Sequence, residues 1–337
     1  MKKTISVVIP AYNEDECVEE LCARLKKVFD QLVKYEFTAI LVENGSSDLT
    51  FEKLQRINNE DSRFKILQLA RNFRMDGGIT AGLSVVNGDA LVLMTADLQD
   101  PPELIPKFVE KWEQGYENVY GIVTRRRGTG PIRRMNSYIF YWIIGKLTGQ
   151  FIPRNASDFR LLDRRVYEQV RLIEERNRFV RGLVAWVGFS SVGVEFVREE
   201  RFAGKSKAYT FPVIHLAIKG ILAHSQVPLV FIPVFGFIIF VGSLLTLVGF
   251  SIDWLMFGVP FPGFGSIIAI ILLMFSVLFL FMGILSLYIG SIYEEVKGRP
   301  NFIIRKAVGF SNSSPKSNSG DSDDGSSEVD PGDWTVS

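Results

Sequence analysis

Three short clusters carry the residue types that could do chemistry. Pro10-Ala11-Tyr12-Asn13-Glu14 sets an aromatic ring between a proline and a carboxylate. Glu43-Asn44-Gly45-Ser46-Ser47-Asp48 gathers two carboxylates, an amide and two hydroxyls around a glycine. Thr95-Ala96-Asp97-Leu98-Gln99-Asp100-Pro101-Pro102-Glu103 is rich in hard oxygen donors. An aromatic ring beside carboxylates can stack on a nucleobase and accept its hydrogen bonds. Asp97 and Gln99 suit Mg²⁺ or Mn²⁺, which would bridge the protein to a diphosphate. Each cluster alone would also serve as a turn with helix-capping residues. Their recurrence at corresponding places in the chain is the stronger signal.

Those places are the ends of apolar bursts. Residues 5–9, 38–42, 65–69 and 90–94 read as short buried parallel strands. The three clusters follow the first, second and fourth. Helical patterns fill the gaps, as in 16–32 and 49–59. Strands alternating with helices predict a doubly wound α/β sheet. In such sheets ligands sit outside the carboxyl ends of the strands, where these clusters fall. Cys17 and Cys22 have neither metal-ligand nor redox spacing, so they read as reduced thiols on a helix. His215 and His224 are too far apart for a helical metal pair. The N-terminal apolar run is too short for a signal peptide, which predicts a cytosolic N-terminal domain.

Hydropathy divides the 337 residues sharply. Residues 1–224 resemble a soluble protein, whereas 229–251 and 265–290 contain no charge. Since ~20 helical residues cross a bilayer core, each apolar run is long enough to span. A purely soluble protein is thereby excluded, and the charged first two-thirds exclude a simple multispanning channel. Arg201, Lys205, Lys207 and Lys219 precede the first run, and Lys297, Arg299, Arg305 and Lys306 follow the second. The loop between the runs has no basic residue, which predicts a hairpin anchor with both termini cytosolic. Residues 133–147 and 211–223 are amphipathic and suit either the membrane interface or packing on the core. The tail, 311–337, is acidic and too polar to build a core. Without it the balance is 37 basic against 31 acidic residues, a body suited to anionic ligands or an anionic membrane surface.

The segments VVIPAYNEDE, ENGSSD, LARNFRMDGG, ADLQDPPE, SDFRLLDR, ERNRFVRGLVAWVGF, RFAGKSK and SIYEEVKGRP occur in order. Together they resemble family 2 glycosyltransferases of the polyprenyl-phosphate type, such as bactoprenol glucosyltransferases and dolichol-phosphate mannose synthases. The resemblance implies a GT-A fold and inverting transfer of a hexose from a nucleotide donor to a polyprenyl phosphate. It implies that Pro10, Tyr12, Glu14, Glu43 and Asn44 line the nucleotide pocket. It assigns the metal to Asp97 and Gln99 with Thr95, and the reacting centre to Asp158. It gives the acceptor phosphate and a closing loop to Arg126, Arg133, Ser137, Arg201, Ser206 and Lys207. Three departures stand out. Thr95 replaces the first aspartate of DADLQD, which predicts weaker metal binding or a metal held mainly by Asp97, Gln99 and the diphosphate. Glu43-Asn44-Gly45-Ser46 replaces DDGS, and Arg74-Met75 replaces the Gly-Lys of RNFGK.

The expected architecture is therefore an α/β GT-A domain (1–210) and an interfacial amphipathic helix (211–226). A two-helix transmembrane hairpin (227–293), a juxtamembrane segment (294–310) and an acidic tail (311–337) follow. The expected reaction uses a UDP-sugar, most readily UDP-glucose, and undecaprenyl phosphate at the cytosolic face of the cell (inner) membrane, with Mg²⁺ or Mn²⁺. The acceptor phosphomonoester, with a second pKa near ~6, needs orientation more than proton removal, so Asp158 is read as orienting rather than as an obligate base. An ion pair to Arg160 or Arg164 is its structural alternative. Two-helix relatives suggest a homotetramer, and no nucleic-acid partner is expected. The rival readings are another donor sugar, such as mannose or an aminopentose, and a weak or silent membrane scaffold. A processive polysaccharide synthase fits poorly, because two spans and no QxxRW segment do not make a channel.

Overall fold

The computed structural model describes residues 2–126, 156–176, 178–198 and 264–310, with isolated helical positions between 238 and 256. The first predicted span, both amphipathic stretches and the acidic tail lie outside the described residues, apart from those isolated positions.

Strands β1 (Lys3–Ala11), β2 (Tyr35–Glu43), β3 (Phe64–Leu69) and β4 (Ala90–Leu93) run parallel and alternate with helices α1 (Val18–Gln31), α2 (Thr50–Glu60) and α3 (Arg74–Val85). The four bursts of the sequence are these strands, with ends that differ by up to three residues. A short 3₁₀ turn (Pro102–Leu104) and α4 (Ile105–Glu113) lead into β5 (Asn118–Arg126). Then come β6 (Ala156–Asp163), α5 (Arg164–Leu172), α6 (Val180–Trp186) and β7 (Ser191–Arg198). The long helix α7 (Phe264–Lys297) and strand β8 (Ile304–Val308) close the described chain.

The sheet order is β7-β5-β6-β4-β1-β2-β3-β8. It is mixed rather than wholly parallel: β6 is antiparallel to β4 and β5, and β8 is antiparallel to β3. Strand β8 lies in the stretch read as juxtamembrane. Its sequence, IRKAV, is broken by two basic residues and so makes no apolar burst, but Ile304 and Ala307 bury themselves against the edge of β3.

Alternation along the strands divides the core in two. Val7 and Ile9 face one layer, with Leu21, Leu25 and Phe29 of α1 and Phe108 and Trp112 of α4. Val8 faces the other, with Ile79 and Leu83 of α3, Tyr167 of α5 and Leu183 of α6. Each fully buried side chain of this size contributes about 1.5–3 kcal/mol. Cys17 and Cys22 are among the buried residues, and burial pushes the Cys22 thiol up to about 12. At that value it is no nucleophile at neutral pH.

Helix α7 has a different character. Its 34 residues would extend about 51 Å, beyond the ~30 Å of a bilayer core. Val277–Lys297 is long and apolar enough to cross a membrane, and Phe279, Met282 and Ile289 within it are exposed. Ser286 and Ser291 donate their hydroxyls to the carbonyls of Met282 and Leu287 one turn back, so neither is left unsatisfied in apolar surroundings.

Candidate active site

Four neighbouring strands, β4-β1-β2-β3, are each followed by a residue in the left-handed region. They are Leu98 (φ 58°), Asn13 (φ 51°), Gly45 (φ 69°) and Arg74 (φ 64°). Non-glycine residues held there cost of order 1–3 kcal/mol each and gather at functional sites. Gly45 is required by space as well as by conformation, since a Cβ there would lie 2.6 Å from the Arg71 backbone. Arg74 stands where the resemblance puts glycine, and it keeps the conformation suited to glycine. The variant R74G is therefore expected to raise stability, by up to about 1 kcal/mol in thermal unfolding.

The loops after β1 and β2 are laced together. The Asn13 amide donates to Ser46 Oγ (3.0 Å), and the Ser47 amide donates to Asn13 Oδ1 (2.9 Å). The Glu14 amide donates to Thr50 Oγ1 (3.0 Å). Glu43 is buried and accepts the Ser46 amide. Asn44, also buried, accepts the Phe73 amide (2.9 Å) and donates to the Arg74 carbonyl (2.8 Å). Its side chain thus ties β2 to the start of α3. Pro10 sits beneath this junction, with its Cβ 3.0 Å from where a Cβ on Gly78 would lie. Pro10, Tyr12, Glu14, Glu43 and Asn44 therefore gather at the adjacent carboxyl ends of β1 and β2 and in the loops that follow.

After β4, the Thr95 hydroxyl lies 2.8 Å from Asp97 Oδ1 and 2.9 Å from Asp100 Oδ2. It has one proton and can donate to only one of them at a time. The Gln99 amide donates to Asp97 Oδ1 (3.3 Å). Asp100 is fully buried and also meets Ser157 Oγ (3.4 Å) and Arg198 (3.5 Å). Burial raises its carboxyl, against the attraction of Arg198. Asp100 is thus an internal brace for the turn, one that the motif alone did not single out. Among the described residues no group of three or more His, Cys, Asp or Glu side chains is placed to hold a metal ion. The donors that are present, Asp97, Gln99 and the Thr95 hydroxyl, are hard oxygens of the kind Mg²⁺ and Mn²⁺ take, with a diphosphate completing the shell.

Asp158 lies on β6, which is hydrogen-bonded to β4. Its partner is Arg181 of α6 rather than Arg160 or Arg164. Arg181 Nε donates to Oδ1 (2.8 Å) and a terminal nitrogen to Oδ2 (2.5 Å), a two-pronged fork. Burial would push this carboxyl up, but Arg181, with Arg160 and Arg198 beyond it, holds it down at about 2. Arg160 is buried, donates to the Ser157 carbonyl (3.0 Å), and is itself lowered to about 10 by burial. A carboxylate held near 2 stays ionised and orients its surroundings, and it is a poor proton acceptor at neutral pH.

Asp76, in the first turn of α3, accepts the Val180 amide (3.1 Å) just before Arg181. Burial, reinforced by the charge of Asp158 and opposed by that amide, Arg181 and Arg178, pushes it up to about 6 from 3.8. Between these values the unfolded chain ionises while the folded carboxyl keeps its proton. Its favourable contribution is therefore complete below about pH 4 and lost as pH rises through about 6. The variant D76N keeps an oxygen for the Val180 amide and has no charge to bury. It is expected to unfold at higher temperature at pH 8, by the equivalent of about 2–3 kcal/mol, with the gain vanishing below about pH 4.

Arg126 ends β5, on the far side of β6 from β4. Arg133, Ser137, Arg201, Ser206 and Lys207 lie outside the described residues. Arg181, Asp100 and Asp76 were missed by sequence reasoning. Their one advance signal is membership of the segments ERNRFVRGLVAWVGF, ADLQDPPE and LARNFRMDGG, which carry the family resemblance.

The sequence model of glycosyl transferase family 2 matches residues 6–171. A glycosyltransferase of Bacillus subtilis (strain 168), YkcC, is 38% identical over 313 residues, covering 91% of this chain and 95% of the relative. The bactoprenol glucosyl transferase of Shigella phage SfII is 37% identical over 305 residues, covering 90% and 98%. The prophage bactoprenol glucosyl transferase homolog of Escherichia coli (strain K12) is 33% identical over 302 residues, covering 90% and 98%.

Proposed function

The chain belongs to glycosyl transferase family 2, with a GT-A fold, and from that premise we propose that it transfers glucose from UDP-glucose to a polyprenyl phosphate. The reading places the reaction at the cytosolic membrane face, with inversion at the anomeric carbon. One observation carries it: bactoprenol glucosyl transferases align with about nine-tenths of this chain and nearly their whole own length. Helix α7 would then anchor the sheet at the depth of a lipid phosphate.

In this reading the loops after β1 and β2 take the uridine, with Tyr12 against the base and Glu14 and Glu43 as acceptors. Asp97 and Gln99 would hold a divalent cation, which when bound offsets charge on the diphosphate. Lys207 and Arg201 would oppose the same developing charge. The acceptor phosphate needs no base, because a phosphomonoester with a second pKa near ~6 is already anionic at neutral pH. Asp158, fixed by Arg181, would orient the reacting groups.

Purified protein is incubated with radiolabelled UDP-glucose, undecaprenyl phosphate and Mg²⁺ or Mn²⁺, with and without chelator. Label in the lipid phase, lost with chelator, is the expected result. Labelling only with another UDP-sugar corrects the donor. Silence with every donor, together with retained UDP binding, replaces the transferase by a membrane scaffold.

A further inference from the structure

The end of α7 meets the catalytic domain at one short segment. Both carboxylate oxygens of Glu295, near the last turn of α7, accept the backbone amide of Arg176, at 3.0 and 3.3 Å. Asn301 donates its side-chain amide to the Glu175 carbonyl (3.0 Å). The chain between them turns at Gly298, with φ 65°. It then enters the sheet, with the Ala70 amide on the Ile303 carbonyl (2.9 Å) and β8 paired to β3. The Asn301 carbonyl lies 3.1 Å from where a Cβ on Gly77 would sit, one residue from Asp76.

The same segment is held from its other end by site residues. Arg178 donates to the Val170 carbonyl (2.5 Å), and the Val180 amide donates to Asp76. The next residue is Arg181, whose fork holds Asp158. Residues 175–176 and 178–181 therefore connect the end of the apolar helix with Asp158, the carboxylate the resemblance puts at the reacting centre. In hydrogen bonding Glu295 and Asn301 reach backbone groups of this segment, while burial, together with the like charge of Glu295, pushes the Glu175 carboxyl up. They fix backbone, which sets where the chain carrying Arg181 must lie.

We propose that Glu295, assisted by Asn301, is a positioning residue for the transfer reaction: it seats the 175–181 segment on the end of α7, so that the membrane helix sets the placement of Arg181 and Asp158. This rests on the transferase reading and on α7 lying in the membrane. It gives the anchor a part in catalysis beyond attachment. Spatial continuity alone does not establish coupling, so the test must measure the coupling itself.

The full chain, in lipid nanodiscs, is compared with E295A, E295Q, R181A and the double variant E295A/R181A. In E295A the amides of 176–181 are expected to exchange about tenfold faster, with strand β2 unchanged. The kcat falls about five- to tenfold at unchanged KM for UDP-glucose, as loss of orientation requires. E295Q, whose amide oxygen still accepts the Arg176 amide, restores both readouts. In the R181A background, E295A costs nothing further, because both act through one contact. Faster exchange confined to 176, an unchanged kcat, a KM that rises with it, or additive losses in the double variant each overturn the proposal. A wild-type chain that transfers no glucose overturns the transferase reading, while unchanged exchange in E295A overturns the seating of 175–181 independently of activity.

Discussion

R181A is expected to lower transfer about 10²-fold while UDP still binds. The argument starts from geometry. Arg181 contacts both oxygens of Asp158, and the two side chains keep 20% and 35% of their surfaces exposed. Breaking a buried pair costs about 3–5 kcal/mol, because the remaining charge is left uncompensated. Asp158 is not fully buried, and solvent screening moves the expectation to the lower end of that range. R181K should recover little, since an ammonium is a point charge and cannot fork. The pH dependence supplies a second readout. Asp158 is held at about 2, below its ordinary 3.8, so its contribution to stability is present above about pH 4 and lost as pH falls through 2. Without Arg181, burial dominates and the carboxyl rises. The acid edges of both stability and rate should then move to higher pH in R181A. Rates in a pH series, with UDP binding measured in parallel, check both parts.

D97A is expected to cost more, about 10³-fold, and to leave the residual rate insensitive to chelator. Asp100, the other carboxylate of this turn, is fully buried against Thr95, Ser157 and Arg198. That leaves Asp97 as the carboxylate of the turn for a cation. Thr95 qualifies this expectation. Its hydroxyl links two carboxylates that would otherwise repel. The variant T95D should therefore unfold at lower temperature without metal and respond to lower Mn²⁺ concentrations than the wild type. The Mn²⁺ dependence of the transfer rate, measured for wild type, D97A and T95D, separates these outcomes.

What the sequence made legible was local. β1 to β4 announced themselves as apolar bursts, because strands buried on both faces are continuous in hydropathy. The clusters after them were legible because each follows its strand within a few residues. Asp97 and Gln99 became candidates in this way, and so did Tyr12 and Glu14. The remainder depends on distance along the chain. Arg181 finds Asp158 across 23 residues, Asp76 finds Val180 across 104, and Glu295 finds Arg176 across 119. No periodicity relates such pairs. Asp158 shows the effect most clearly: Arg160 and Arg164, near in sequence, looked like its partners, but β6 and α6 bring Arg181 there instead. Strand direction was illegible for the same reason. β6, with Asp158, Arg160 and Asp163 interrupting its apolar residues, gives no local sign of its direction, and only its neighbours make it antiparallel.

Strand β8 also has a consequence for how the protein is made. It pairs with β3, yet residues 70–303, the whole of α7 among them, separate the two in the chain. Synthesis proceeds from the N-terminus, and domains fold as their residues emerge. β1 to β4 can therefore assemble early, but the outer edge of β3 stays open until α7 has been synthesised. If α7 has entered the bilayer by then, the sheet is completed only by chain returning from the membrane. Until β8 arrives, the nascent protein exposes a bare strand edge at β3, the kind of surface that invites aggregation.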